Sequence, residues 1–197
     1  MKIYDISQPV FECVVFPGDP APEKQVVMKV SEGDVCNLST FSMCSHNGTH
    51  VDSPYHFLDD GKRLEDMPID TWVGYAYVTG FEGDITACDA EEIMEKAAAA
   101  SCEAAKRILI RGKAVVTAEA AEVFARAQVK LVGNESQTVG PENAPAQVHR
   151  ILLGANVGLL EGIRLGDVPD GVYMLNAAPI NLGASDGAPC RAILMEM

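Results

Sequence analysis

The chain has 197 residues, of which 48% are hydrophobic and 22% charged, a composition typical of a globular protein. Its net charge of −13 argues against a nucleic-acid partner and against adhesion to anionic membranes, because both require a basic surface. No apolar run approaches the ~20 residues of a membrane-spanning helix, and the opening residues lack the apolar core of a signal peptide.

The first third of the chain is predicted to be rich in strands and turns. Aromatic or β-branched residues favour strands at residues 3–6, 25–30 and 72–78. Proline, glycine and aspartate favour turns at residues 16–20 and 59–61. Few strong helix formers occur between residues 35 and 50, so we expect no helix there.

After residue 89 the pattern changes to helices that alternate with strands. One helix is expected at residues 90–106 with Asp89 as N-cap, and another at 117–127 with Thr117 as N-cap. A third helix opens with Pro145 and extends to residue 153. Further strands are expected at residues 107–111, 130–132, 157–160, 171–176 and 191–195. This alternation predicts a mixed α/β fold, in a single domain that spans residues 1–197.

Six cysteines are scattered along the chain and include no C-x-x-C pair. In a chain of this size and composition they are typical of reduced thiols, and we expect many of them to be buried. Together with the missing signal peptide, this predicts a cytoplasmic protein.

Three of the four histidines lie within eleven residues. Glycine, threonine, valine and proline in this stretch disfavour a helix. In an extended chain alternate side chains point the same way, which would align His46, His50 and Asp52, with Gly48 leaving space between them. Two imidazoles and a carboxylate that converge are typical ligands of Zn or Mn.

Other candidate residues are weaker when judged by spacing alone. Pro54 would bend the chain and aim His56 from another direction. The fourth histidine, His149, is on a predicted helix and is equally well explained as a surface residue, and Glu161 is typical of a solvated carboxylate. Cys44 is better explained as a buried thiol than as a ligand. Spacing by itself therefore leaves the ligand set open.

The stretch from Ser45 to Phe57 resembles the H-x-G-T-H-x-D-x-P-x-H-F signature of the cyclase family of metal-dependent hydrolases, which includes bacterial kynurenine formamidases and isatin hydrolases. All eight fixed positions are present: His46, Gly48, Thr49, His50, Asp52, Pro54, His56 and Phe57. Similarity continues at residues 5–7, 17–19, 133–139 and 186–192. His149, followed twelve residues later by Glu161, is similar to the family's second pair of metal ligands.

The resemblance implies a site for one or two divalent ions, Zn or Mn. One ion would be held by His46, His50, Asp52 and Glu161. A second would be held by Asp52, His149 and Glu161, with both carboxylates bridging. His56 would be the catalytic acid and base. The fold implied is α/β, with a mixed, barrel-like β-sheet flanked by helices in the swivelling β/β/α arrangement.

The resemblance also implies a small-molecule substrate and an assembly. The expected reaction is hydrolysis of an amide-type C–N bond, in an aryl formamide of tryptophan catabolism or in a cyclic lactam such as isatin. Family members are dimers or larger assemblies, so we expect a homodimer or homotetramer in which a neighbour supplies part of the pocket. A non-catalytic metal-binding protein on the same scaffold is the alternative, but such a protein would not need His56.

Several positions depart from the family pattern. Glu135 stands where aspartate is usual, and Gly112 where threonine is common. The segment between Arg111 and Thr117 is shorter than in relatives. Phe16 occupies a position that in kynurenine formamidases is often a tryptophan in contact with substrate, so we assign Phe16 to the substrate pocket. None of these positions is an expected metal ligand, so they bear on the substrate rather than on the chemistry.

Overall fold

A computed structural model of the protein describes residues 1–196. Its helices are α1 (Ala87–Ala100), α2 (Ala118–Arg126) and α3 (Ala146–Gly154). Its strands are β1 (Ile3–Asp5), β2 (Glu23–Met28), β3 (Leu38–Ser42), β4 (His50–Asp52), β5 (Val73–Gly80), β6 (Gly83–Ile85), β7 (Arg107–Arg111), β8 (Ala114–Val116), β9 (Leu131–Asn134), β10 (Gly158–Glu161), β11 (Gly171–Asn176), β12 (Gly187–Pro189) and β13 (Ile193–Met195).

Nine of these strands form one mixed, curled sheet in the order β1-β13-β11-β5-β7-β9-β10-β4-β12. The centre, β5-β7-β9-β10, is parallel, and the strands on both sides of it are antiparallel. Two smaller pairs stand apart, the antiparallel hairpin β2–β3 and the parallel pair β6–β8. The predicted α/β class with a mixed, barrel-like sheet flanked by helices is confirmed.

Both faces of the central strands are buried. In β10, Leu159 belongs to the core beneath α2 and α3, whereas Leu160 belongs to the core on the opposite face with Trp72. Adjacent strand residues point to opposite faces, so a strand buried on both sides needs an uninterrupted apolar run. This is why the apolar runs of the sequence became the central strands.

The prediction for α1 was wrong at both ends. Its N-cap is Thr86 rather than Asp89, because Thr86 takes an extended conformation directly after β6 and its hydroxyl accepts from the amide of Asp89. Asp89 completes a reciprocal capping box by accepting from the amide of Thr86 at 2.9 Å. The helix ends at Ala100 and a separate 3₁₀ helix covers Ala104–Lys106. By contrast, Thr117 caps α2 as predicted.

The cysteines are more accessible than expected. Cys36, Cys88 and Cys102 are exposed and the other three are half-buried, so the expectation of many buried thiols was wrong. The exposed three lie in a loop, in the first turn of α1 and just beyond its end, where no neighbouring element covers them. Within residues 1–196, no helix has both the length and the apolar character needed to cross a bilayer.

Candidate metal centre and active site

The five predicted ligands come together from four parts of the fold. Antiparallel pairing of β4 with β10 places His50 directly opposite Glu161. Asp52 follows two residues after His50 on β4 and therefore points to the same face. His149 reaches the same point from α3, and His46 from the turn that precedes β4. All except His46, which is half-buried, are at least 98% buried.

The predicted alignment of His46 with His50 along one extended strand was wrong. Only His50 and Asp52 are on β4, and His46 lies in the preceding turn. Gly48 produces this turn with a φ of +65°, a left-handed conformation that glycine adopts without steric cost. A Cβ at this position would also lie 2.9 Å from the Cβ of Cys13. Gly48 therefore turns the chain so that His46 approaches Asp52 from the side.

The five predicted ligands form two overlapping triads, and a third group of potential ligand atoms joins His46 to His56 and Asp186. Asp52 Oδ1 lies 2.9 Å from His46 Nδ1 and 3.4 Å from His50 Nε2. His149 Nε2 lies 3.6 Å from Asp52 Oδ2 and 3.2 Å from Glu161 Oε1. Within the triads His46–His50–Asp52 and Asp52–His149–Glu161, the potential ligand atoms are all within 4.8 Å of one another. Asp52 belongs to both, so the two triads share one carboxylate.

The hydrogen bonds of His50 and His149 to backbone carbonyl groups orient both rings for metal binding. Nδ1 of His50 lies 3.0 Å from the carbonyl oxygen of Gly48, and Nδ1 of His149 lies 2.9 Å from that of Pro145. A carbonyl only accepts, so each ring donates from Nδ1 and turns Nε2 inward, where it can bind a metal once it has lost its own proton. His50 Nε2 and Asp52 Oδ2 are buried without a hydrogen-bond partner among the described residues. Unpaired buried polar atoms are costly, and a divalent cation would satisfy both.

The electrostatics of the cluster also favour added positive charge. Burial disfavours the imidazolium of His46, but Asp52 and Asp186 outweigh burial and raise the pKa of His46 to about 11. Burial also disfavours the imidazolium of His50, but the carboxylates of Asp52 and Glu161 outweigh this effect and raise the pKa of His50 to about 9. Burial opposes ionisation of Asp52, yet the adjacent imidazoles hold the pKa of this carboxyl well below its usual value. The buried carboxylates thus remain ionised beside either protonated histidines or a cation.

A cavity of about 210 Å³ opens onto the cluster. The predicted acid–base residue His56 and the predicted substrate contact Phe16 both line it, together with Phe57 and Pro145. Pro54 begins a 3₁₀ helix that carries His56 away from the line of β4, as its position in the sequence predicted. The ring of His56 stacks on His46, with centroids 3.9 Å apart. The structure therefore brings His56, the cluster of five candidate ligands and the aromatic side chains of Phe16 and Phe57 to one cavity.

Sequence reasoning gave no role to Asp186, although the cluster includes it. Oδ2 of Asp186 lies 2.9 Å from Nε2 of His46 and 3.5 Å from Nδ1 of His56. Hydrogen bonds from these two rings hold the pKa of the Asp186 carboxyl well below its usual range. Asp19 and Gln137, which line the cavity, were also missed as site residues. The similarity of residues 186–192 to the family's closing segment was the available signal for Asp186.

Two departures from the family pattern, Glu135 and Gly112, lie together outside the cavity, whereas Phe16 lines it. The carboxylate of Glu135 accepts hydrogen bonds from the amides of Gly112 at 2.6 Å and Leu165 at 2.8 Å. It thereby joins the segment after β7 to the loop that follows β10. Because Glu135 does not line the 210 Å³ cavity, its exchange for the usual aspartate leaves the ligand cluster intact.

The fold and the site define a metal-dependent hydrolase. The sequence profile of the family named Cyclase matches residues 4–141. A kynurenine formamidase of Erythrobacter litoralis is 32% identical over an alignment of 213 positions, which spans 100% of this chain and 94% of the relative. The protein described here belongs to the Cyclase family, as the resemblance predicted, and it is an enzyme.

Two solved structures share the architecture. One is a potential metal-dependent hydrolase with cyclase activity, 27% identical, with a TM-score of 0.79 over 98% of this chain and 96% of its own. The other is isatin hydrolase A from Labrenzia aggregata, with a TM-score of 0.83 over 98% of this chain and 93% of its own. At 18% identity, the second likeness shows the shared fold alone.

Proposed function

We propose that this protein hydrolyses the C–N bond of an aryl formamide, with N-formylkynurenine as the first substrate to test. The observation that carries the proposal is the meeting of three imidazoles and two buried carboxylates with His56 at one cavity. The full-length similarity to a kynurenine formamidase supports the choice of substrate. An aryl formamide would place its ring against the aromatic side chains and its formyl group toward the ligand cluster.

We infer that two divalent ions, zinc or manganese, would be held by His46, His50, His149 and Glu161 together with Asp52. The two triads of ligand atoms support a pair because each contains this carboxylate. Three imidazole ligands suit Zn, whereas the additional carboxylate oxygens also suit Mn. When bound, such ions would polarise the scissile carbonyl and lower the pKa of a water molecule toward ~7.

The acid–base steps are assigned to His56. Its imidazole would take a proton from the attacking water as the water oxygen bonds to the formyl carbon. The same imidazole would then give a proton to the leaving nitrogen as the C–N bond breaks, so that one water is consumed and formate and an aryl amine are released. Such general acid–base help is worth roughly 10²–10⁴-fold in rate.

The aromatic side chains that line the cavity, Phe16 and Phe57, would form the substrate-binding surface. The ring of Phe57 lies with its centroid 4.5 Å from that of His56 and 4.5 Å from that of His149. Phe16 lines the same cavity. A planar aryl ring would pack against these side chains, because aromatic rings gain from edge and offset contacts with one another. We therefore propose Phe16 as a substrate contact.

We propose that the protein is a homodimer and that the hairpin β2–β3 is part of its interface. Every residue of this hairpin is exposed apart from the half-buried Met28, and Val27 and Phe41 are 51% and 61% exposed. An isolated two-stranded hairpin is only marginally stable, so packing against a second copy would stabilise it. Phe41→Asp should then shift the mass measured by light scattering to that of a monomer, whereas Ile69→Asp, at an equally exposed position elsewhere, should not.

We also propose a cytoplasmic location. All six cysteines are free, and three of these thiols are exposed. Exposed thiols persist in a reducing compartment, whereas in an oxidising one they tend to pair. Fractionation of cells that make the protein at its natural level would test this location.

The test of the proposed function is hydrolysis of N-formylkynurenine by purified protein. The protein is stripped with a chelator and assayed for kynurenine and formate, without metal and after addition of Zn²⁺ or Mn²⁺. Turnover that returns with metal supports the proposal, and isatin serves as a parallel substrate. Turnover of isatin but not of N-formylkynurenine would mean that the enzyme hydrolyses cyclic lactams rather than aryl formamides. Stoichiometric metal binding without turnover of either compound would contradict the proposal and favour the non-catalytic alternative.

A further inference from the structure

The carboxylate of Asp186 faces two imidazoles to which the proposed function gives different roles. The same oxygen, Oδ2, lies 2.9 Å from Nε2 of His46 and 3.5 Å from Nδ1 of His56. The two rings are stacked with their planes inclined by 27°. One carboxylate oxygen is thus shared between a candidate metal ligand and the candidate acid–base residue.

Asp186 is itself held in place from its other side. Its Oδ1 accepts hydrogen bonds from the hydroxyl of Ser45 at 3.2 Å and from that of Ser185 at 3.3 Å. Its backbone carbonyl accepts from both the amide and the hydroxyl of Ser53 at 2.9 Å. The next residue, Gly187, pairs with Asp52 in the sheet. The carboxylate is therefore built into the site rather than free to rotate in solvent.

The contacts of Asp186 select one tautomer for each ring. A carboxylate only accepts hydrogen bonds, so the nitrogen that faces Oδ2 must carry the proton. For His46 this keeps a proton on Nε2, so Nδ1, which lies 2.9 Å from Oδ1 of Asp52, is the nitrogen that would give up its proton to bind a metal. For His56 it places the proton on Nδ1 and leaves Nε2 to exchange a proton with substrate. Such outer partners of metal-binding histidines fix both tautomer and ring orientation.

We propose that Asp186 is a positioning residue that fixes the tautomers and the stacked orientation of His46 and His56, and so couples the metal centre to the acid–base residue. The part that concerns His56 rests on the proposed function. The part that concerns His46 requires only that the cluster binds a metal, so it is tested without turnover.

The first experiment compares the wild type with Asp186→Asn, which preserves the size of the side chain but not its charge. Zn²⁺ affinity, measured by competition with a chelator, should fall roughly 10–100-fold. Long-range ¹H–¹⁵N correlation spectra of the Zn-loaded protein should show altered tautomers at His46 and His56, which are resolvable because the chain has four histidines. Asp170→Asn is the matched control, since this carboxylate is 49% exposed and pairs with Arg111 instead. Wild-type affinity together with wild-type tautomers in Asp186→Asn would overturn the proposal.

The second experiment tests the coupling to His56. At saturating Zn²⁺, Asp186→Asn should lower kcat roughly 10–100-fold with little change in KM. In a His56→Ala background the same substitution should lower kcat much less, while the loss of Zn²⁺ affinity remains. An equal loss of kcat in both backgrounds would overturn the coupling. If the wild type hydrolyses no substrate, the proposed function fails, whereas the affinity and tautomer measurements still decide the role of Asp186 toward His46.

Discussion

Glu161 of β10 lies directly opposite His50 of β4, with 3.5 Å between Glu161 Oε2 and His50 Nε2. The other carboxylate oxygen, Oε1, accepts a hydrogen bond from the amide of Val139 at 2.8 Å and lies 3.2 Å from Nε2 of His149. A single buried carboxylate thus joins two imidazoles that come from different elements. The sheet register that pairs the two strands is what gives Glu161 this position.

Replacing Glu161 by glutamine should weaken metal binding more than replacing a residue that contacts a metal ligand but not the metal itself. Glutamine preserves the size of the side chain and the hydrogen bond from Val139, but it removes the charge. Zn²⁺ affinity, measured by chelator competition, should therefore fall by more than roughly 10–100-fold, which is the loss typical of replacing a residue that hydrogen-bonds to a metal ligand. Glu92→Gln, at a 61% exposed carboxylate on α1, should bind as the wild type does. Equal affinity in the two variants would remove Glu161 from the ligand set.

His56→Ala should separate binding from catalysis. His56 lines the cavity, but its ring nitrogens are outside the two triads that include Asp52. The variant should bind the same number of metal ions as the wild type, counted by elemental analysis. Its kcat on N-formylkynurenine should fall roughly 10²–10⁴-fold, because the proton transfers lose their carrier. Near-full activity in this variant would show that another group moves the proton.

Asp19 should affect the recognition of amino-acid substrates. This carboxylate lines the cavity next to Phe16, and N-formylkynurenine carries an ammonium group that it would attract. Asp19→Asn should raise KM for N-formylkynurenine by up to about fivefold, since an exposed ion pair contributes up to about 1 kcal/mol. KM for formanilide, an aryl formamide without an ammonium group, should not change. An equal rise for both compounds would mean that Asp19 shapes the cavity rather than recognising charge.

The sequence allowed the large elements to be predicted, because their signals are local. The apolar run of β7 and the Thr117 cap of α2 are examples in which neighbouring residues alone favour the observed structure. At α1 the sequence pattern favoured Asp89 as the N-cap, three residues after the true N-cap Thr86. The structure uses both in one capping box, so the helix starts earlier than the composition suggested.

The short strands β4 and β12 could not be predicted, because their partners are distant in sequence. Strand β4 reads His-Val-Asp, which has no marked strand preference, and it is extended because β10 and β12 flank it. Asp186 is a similar case in the site, since it contacts His46 from 140 positions away. Spacing left the ligand set open, and the resemblance to the family supplied the five candidate ligands, but neither gave a role to Asp186. Tertiary packing alone brought Asp186 to them.

Gly162 should tolerate no side chain, although it binds nothing in the proposed mechanism. Its φ of +66° is left-handed, and an added Cβ would collide with the carbonyl oxygen of Gly48 and lie 2.7 Å from Gln8 Nε2. Gly162→Ala should lower the free energy of unfolding by roughly 1–2 kcal/mol for the backbone and about 1–3 kcal/mol more for the collision. Gly166, with a φ of +40° and no atom near its Cβ direction, is the matched control. Urea unfolding of both alanine variants should show the larger loss at Gly162, and equal losses would contradict the collision.

The Cys190 thiol should make the stability of the fold fall in alkaline solution. Although Cys190 as a whole is half-buried, burial of its thiol group raises its pKa to about 12, whereas an unfolded chain has a cysteine pKa of ~8.5. As the pH rises, the thiol therefore loses its proton first in the unfolded state. The contribution of Cys190 to the free energy of unfolding is fully present below pH ~8.5 and decreases as the pH rises toward 12. Relative to Cys190→Ala, the wild type should lose up to about 1.4 kcal/mol of unfolding free energy per pH unit above ~8.5. Urea unfolding at pH 7, 9 and 10 measures this, with Cys36→Ala as the control at an exposed thiol. Parallel pH profiles for wild type and Cys190→Ala would show that the thiol ionises as readily in the fold as in the unfolded chain.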